Sequence, residues 1–402
     1  MGGASISTIR PLAGVRVIEL STMVSASLAT MMLAAQGAEV IKVEPVRSGD
    51  ILRYIGTQKD GVSALFANCN RGKSSISVDL KTPEGQRLVR DLAGEADVII
   101  NNFRPGVMER LSLGSETLRQ ANPRLIFAAI SGFGTTGPMA DDPAYDQVVQ
   151  ALSGFVGVQT DSDQPKFVRN LIVDKVTAYT VAQGITAALL ARATTGVGQH
   201  LDVSMLHAGL FFLFPDGMMN QTFLSDGVHE TAPLADNLIA FATSDGFISM
   251  APSTDEHWQG FAKAMERPDI AEDKRYATLE GRAKHGMELY TLAYMALTKF
   301  TTKDAIARLR ANDVPCAPCL LPGDVVEHEQ VTAIGAVDIL DHPSLGRLRV
   351  AQPPVRFEGE AGKIAQPCPA LGQQSVEIAR ALGRAEDEIR ELQTKGVLGG
   401  AA

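Results

Sequence analysis

Short apolar runs alternate with amphipathic ones through the first half of the chain. Val15–Leu20, Glu39–Val43, Asp97–Ile100 and Leu125–Ile130 are brief and rich in Val and Ile, a pattern that predicts buried strands. Between them, Ala26–Gln36 reads as a helix of small residues stopped at Gly37. Pro83–Ala93 reads as an amphipathic helix with proline at its start. Apolar strands separated by helices predict an α/β fold with a parallel sheet covered on both faces. A long apolar helix over Val176–Ala193 and a further strand over His200–Ser204 follow. From about Asp226 the texture changes. Asn237–Ala251 predicts a hairpin turning at Ser244-Asp245-Gly246, helices continue to about Asn312, and the proline-bearing Val314–Leu321 reads as a connection leading back. Ser375–Leu382 and Ala385–Thr394 predict two closing helices parted by Gly383.

In parallel sheets of this kind, ligands bind at the loops outside the carboxyl ends of the strands. Those loops begin at Ser21, Glu44, Asn101 and Ser131, and all are polar or glycine-rich. Asp174 stands just before the long apolar helix. A carboxylate at the edge of so apolar a segment is costly to bury unless it is paired or used. Used, it is a nucleophile able to attack a thioester; unused, it is a helix-start aspartate stabilised by the first-turn amides. All seven histidines lie at or beyond position 200, so a histidine-activated nucleophile built within the N-terminal sheet is excluded. The glycines of Gly132-Phe133-Gly134-Thr135-Thr136-Gly137 have dinucleotide-motif spacing. Pro138 follows instead of a helix, so this loop reads as an active-site wall. Arg104 and Arg110 after the third of the four strands above, with Arg71, Lys73 and Lys81 nearby in sequence, are candidates for holding phosphates or for solvated surface charge.

Composition narrows the classes further. A chain of 402 residues has room for two domains, or for one large and one small. A net charge of −9 argues against nucleic acid as the main partner, while local basic clusters leave an anionic ligand open. Cys69, Cys316, Cys319 and Cys368 are too few for a disulfide framework and point to the reducing cytoplasm. Cys316 and Cys319 sit among prolines with no second pair to complete a zinc site, so no metal centre is expected. Residues 1–7 carry no apolar leader, and no apolar run is long enough to span a bilayer, so no membrane association is expected.

The segments Pro11–Leu20, Gly37–Glu44, Asn68–Ser74, Val78–Gly85, Ala96–Gly106, Gly132–Pro138 and Thr195–Ser204 occur in order, followed by Asp245–Ser249, Val314–Pro318 and Ala370–Gln373. Together they resemble the class III CoA-transferase family, which includes the α-methylacyl-CoA racemases. The resemblance implies a large Rossmann-like parallel-sheet domain built from both chain ends, a small α+β domain between, and two subunits interlocked as a homodimer. The matching boundaries are 1–205 and 336–402 for the large domain, 226–312 for the small one, and linkers at 206–225 and 313–335. It implies Asp174 as the nucleophile, and Asn102, Phe103, Arg104 and Arg110 as a CoA-binding loop. Asp79, Leu80 and Lys81 fall beside the adenosine, Val24 and Ser25 near the thioester, and Tyr145, followed by Asp146, at the closing of the pocket. The CoA thioester enters as substrate alongside a small carboxylic acid, with no tightly bound cofactor.

Departures from the family pattern narrow the chemistry. Ala26-Ser27 replaces a common Gly-Pro pair. Val24 and Pro45 stand where the formyl-CoA branch has a glutamine and a basic residue, and no glycine-rich loop precedes Ala240; formyl-CoA and oxalate are therefore not expected substrates. The racemase branch requires a histidine before the aspartate in the loop after Gly137-Pro138. Here Ala144-Tyr145-Asp146 stands instead, and a tyrosine of ordinary pKa near 10 is a poor base at neutral pH. Transfer of CoA through an aspartyl anhydride and an aspartyl-CoA thioester on Asp174 is expected. A 2-methylacyl-CoA racemase and a non-catalytic CoA-binding protein are the alternatives.

Overall fold

The computed structural model describes residues 10–160, 163–361, 364 and 366–400. The segment 1–7, read above as carrying no leader, lies outside the described residues. Six strands form one sheet: β1 (Arg16–Leu20), β2 (Glu39–Glu44), β3 (Lys73–Ser77), β4 (Val98–Asn101), β5 (Ile126–Ser131) and β6 (His200–Ser204). Their spatial order is β3-β2-β1-β4-β5-β6, with every neighbouring pair parallel. This is the doubly wound order, which reverses between β1 and β4 and opens a crevice at their carboxyl ends.

Side chains alternate across the sheet, so each strand feeds two cores. Ile18 and Leu20 of β1 join Ile41, Ile76 and Ile99 on one face. Val17 joins Val40, Val98 and Ile126 on the other. The second face is covered by α1 (Ser25–Ala35) and by the long helix containing Asp174, where Ala26, Ala29 and Leu33 meet Ala178, Val181 and Ile185. Small residues on α1 permit this close approach, and its polar residues Ser27 and Thr30 are buried on Glu19. The first face is covered by α2 (Pro83–Gly94) and by the helices Ser375–Ala381 and Glu386–Thr394 from the far end of the chain. Helix α2 starts at Thr82, whose hydroxyl accepts from Gly85 N, and buries Leu88, Val89 and Leu92 at helical spacing.

The chain divides into two compact units. One takes the chain up to Met219 together with the stretch from Ala333 onward, and the other is Asn220–Thr332. In the second unit, Ala240–Ala242 and Phe247–Met250 form the expected hairpin. The sequence reading treats Val314–Leu321 as a connection, yet Cys316–Pro318 pairs antiparallel with Phe247–Met250 as a third strand. Prolines suit such an edge strand, which needs few N–H donors. The stretch 206–225, also read as a linker, is largely helix: Met205–Gly217 is capped by Ser204 and buries Leu213. A hairpin of Val337–His342 with Gly346–Ala351 was not expected from the pattern.

Candidate active site

A cavity of about 290 Å³ opens where the strand order reverses. Its walls come from the loop after β1 (Thr22, Met23) and the start of α1 (Ser25), from the loop after β4 (Asn102 to Pro105) and from the end of β5 and its loop (Ser131, Gly132), with Tyr145 and Asp174 among the other lining residues. Gly132 is required by packing, because a Cβ there would lie 2.2 Å from the Ala144 Cβ. Of the residues expected at the site, Ser25, Asn102, Phe103, Arg104, Tyr145 and Asp174 come together on this wall. Val24 is buried in a small apolar cluster behind it. Asp79 and Leu80 are half-buried and Lys81 exposed in the turn following β3, and Arg110 is exposed beside Gly106; none of these lines the cavity.

Asp174 lies in the first turn of α4 (Ile172–Thr195), which begins four residues earlier than the apolar pattern suggests. The helix has no side-chain cap, since Leu171 precedes it. Asp174 is 5% exposed. Its own N–H donates to Asp146 Oδ2 at 3.0 Å. Asp146 is buried as well and starts α3 (Asp146–Leu152). Burial first, and the Asp146 charge second, push the Asp174 carboxyl up to about 7 from its ordinary 3.8. Gln150, one turn along α3, donates to Asp146 Oδ1 at 2.6 Å and to Asn170 O at 3.0 Å, and accepts from Val168 N at 3.1 Å. The strand-like approach to α4 is thereby clamped to α3. Asp146, expected beside the ligand, is not among the lining residues and accepts from the backbone N–H of Asp174.

The Asn102 side chain grips the loop after β1 from both sides, accepting from Thr22 N at 3.1 Å and donating to Thr22 O at 2.6 Å. Arg104 is the basic residue among the described lining positions, and no histidine is among them. Lys73 and Arg71, candidates for phosphates by sequence, are not available for that role. Lys73 Nζ is fully buried on Glu19 Oε2 at 2.8 Å, and Arg71 is buried with Nη2 on Ala351 O. Lys42 joins Glu19 at 2.5 Å. Against burial, which alone would raise it, the two ammonium groups hold Glu19 well below the usual carboxylate range. The sequence signal for this network was a charge of each sign inside apolar strands, Glu19 in β1 and Lys42 in β2, which pair in register. Among the described residues no group of His, Cys, Asp and Glu is arranged to hold a metal ion, and no helix is long and apolar enough to cross a membrane.

A doubly wound sheet whose crevice holds a desolvated carboxyl suits acyl chemistry on a large ligand, and comparison with known proteins identifies the class. The profile of CoA-transferase family III matches residues 12–375, so the chain belongs to that family. It is a CoA-transferase, and CoA thioesters and carboxylic acids are the substrates of that class. It is 33% identical to the succinate–glutarate CoA-transferase of Agrobacterium fabrum, over 92% of this chain and 94% of that one. It is 32% identical to the succinyl-CoA–D-citramalate CoA-transferase of Chloroflexus aurantiacus, over 97% and 98%. The crystal structure of Rv3272 from Mycobacterium tuberculosis superposes with a TM-score of 0.81 at 30% identity, covering 92% of this chain and 99% of that one.

Proposed function

We propose that the protein moves CoA from a donor acyl-CoA to a small carboxylic acid through covalent intermediates on Asp174. The observation that carries this reading is a buried carboxyl, on a cavity wall at the strand-order reversal, with no cation paired to it among the described residues. Asp174 carboxylate attacks the thioester carbonyl, and the CoA thiolate leaves behind an aspartyl–acyl anhydride. The thiolate then attacks the aspartyl carbonyl, releasing the donor acid and forming an aspartyl-CoA thioester. The acceptor carboxylate displaces the thiolate to form a second anhydride. Attack of the thiolate on the acceptor's acyl carbon frees the acyl-CoA product and restores Asp174.

Asn102, Phe103, Arg104, Arg110 and the Asp79–Lys81 turn are assigned to CoA, Val24 and Ser25 to the thioester end, and Tyr145 to closing the cavity. Succinyl-CoA is the proposed donor, since two relatives of about one-third identity are named for succinate or succinyl-CoA. A cytoplasmic, interlocked homodimer with domains near 1–205 plus 336–402 and 226–312, working without a bound cofactor, completes the reading. The racemase alternative lacks support, because Tyr145 occupies the position where a proton-transferring histidine is needed.

The test is an exchange assay read by mass spectrometry, with succinyl-CoA, pooled carboxylic acids, and Asp174→Ala in parallel. New acyl-CoA species formed by the wild type and absent with Asp174→Ala are expected. Full turnover by Asp174→Ala would overturn the mechanism. Deuterium uptake at the α-carbon of a 2-methylacyl-CoA without any transfer would replace it with racemisation.

A further inference from the structure

The part of the cavity wall formed by Met23 is held by a residue that the cavity does not touch. Met23 has φ of +65°, a left-handed conformation that is uncommon and strained for a residue with a side chain. Its N–H donates to Asp50 Oδ1 at 3.1 Å, an oxygen that also accepts from Leu52 N at 2.9 Å. Asp50 is fully buried, and Lys42 Nζ lies 2.9 Å from its Oδ2 as an ion pair without hydrogen-bond alignment. The same ammonium reaches Ser21 O at 3.4 Å and Ser27 Oγ at 3.1 Å, one on each side of Met23. Glu19, Lys42, Asp50 and Lys73 are all fully buried, two acids against two amines, so the formal charge of the cluster closes at zero. A buried cluster of this kind is a stiff anchor, because each member left alone would be an uncompensated charge.

We propose that Asp50 is a positioning residue for the transfer reaction: anchored on Lys42, it holds Met23 in its left-handed turn and so fixes the wall that confines the acyl group beside Asp174. This rests on the reading of the Asp174 cavity as the site of transfer. An anhydride must meet the returning thiolate and not water, so a displaced wall has two consequences. It misaligns the reacting atoms, and it lets water take the acyl group as free acid.

The test compares wild type, Asp50→Asn, Met23→Gly, the double variant and Asp174→Ala for kcat, KM and the fraction of acyl-CoA hydrolysed rather than transferred. Asp50→Asn keeps the size of the side chain and loses the charge facing Lys42. Its kcat is expected to fall by about 10- to 100-fold, as misplacement on the order of an ångström does, with KM nearly unchanged and the hydrolysed fraction raised. Glycine adopts the left-handed turn without an anchor but removes the side chain from the wall, so Asp50→Asn should cost much less kcat when introduced into Met23→Gly than into the wild type. Unchanged kcat and hydrolysed fraction in Asp50→Asn, with Asp174→Ala inactive, would overturn the role of Asp50 and leave the site standing. An Asp50→Asn loss as large in the Met23→Gly background as in the wild type would also overturn it, since the effect would not run through Met23. Turnover by Asp174→Ala would remove the site itself, and this proposal with it. If Asp50→Asn does not fold, Asp50→Glu makes the same comparison, keeping the charge while displacing the acceptor.

Discussion

At the scale of single residues, Asp174 carries opposing demands. In its proposed role as nucleophile it must be ionised, yet burial and Asp146 favour its neutral form and place its pKa at about 7. In the free enzyme, log(kcat/KM) should therefore rise with unit slope as pH increases toward 7 and level off above it. A profile flat down to pH 5 would contradict this. The same shift has a stability consequence. Between about pH 4 and 7 the folded chain keeps a proton on Asp174 that the unfolded chain has released. Stability thus falls as pH rises through that window, by roughly 1.4 kcal/mol per unit, and stays at the lower level above it. Asn at this position cannot ionise. Asp174→Asn should be more stable than wild type by roughly a few kcal/mol at pH 8 and equal to it at pH 4, while inactive at both. Urea midpoints at the two pH values measure this, and equal midpoints at pH 8 would mean that ionising Asp174 costs nothing.

At the scale of elements, the site is made by three strand-end loops and the starts of several helices. The alternation of apolar runs announces the loops after β1, β4 and β5, and the apolar run after Asp174 announces α4. Asp146 was legible only as a neighbour of Tyr145. Its contact with Asp174 spans 28 positions and exists because α3 packs across the start of α4. No local pattern encodes that approach. Asp146→Asn removes the like charge while retaining an oxygen able to accept from Asp174 N. The acid limb of the kcat/KM profile should then move to lower pH, by less than the full elevation because burial is the larger cause. An unmoved limb would show that Asp146 does not raise the Asp174 pKa.

At the scale of the whole molecule, the exposed apolar side chains of Tyr179 and Leu190 on α4 and of Phe211 and Phe212 on Met205–Gly217 lack cover in a single chain. Exposed apolar surface of this kind is what the proposed homodimer would cover. Sedimentation should give twice the chain mass of 42.8 kDa. The paired substitution Leu190→Asp with Phe211→Asp should shift the population toward monomer; an unaltered dimer would place the interface elsewhere. The buried charges also belong to this scale. Glu19 and Lys73 are 54 positions apart and meet across β1, β2 and β3, which is how a lysine that looks like a phosphate ligand in sequence becomes a structural cation.

The sequence by itself determined the alternation of strands and helices, the loops that line the cavity, the family, and the aspartate at the head of an apolar helix. Each of these rests on short-range patterns: side-chain period, turn residues, and motif order. The tertiary structure decided which charges are paired with each other and which is left on the cavity wall without a counter-ion among the described residues. Glu19, Lys42, Asp50 and Lys73 neutralise one another in the core, whereas Asp174 has burial and a like charge for company. Pairing and desolvation depend on distances between residues far apart in the chain, and those are fixed only when the sheet and its covering helices close around them.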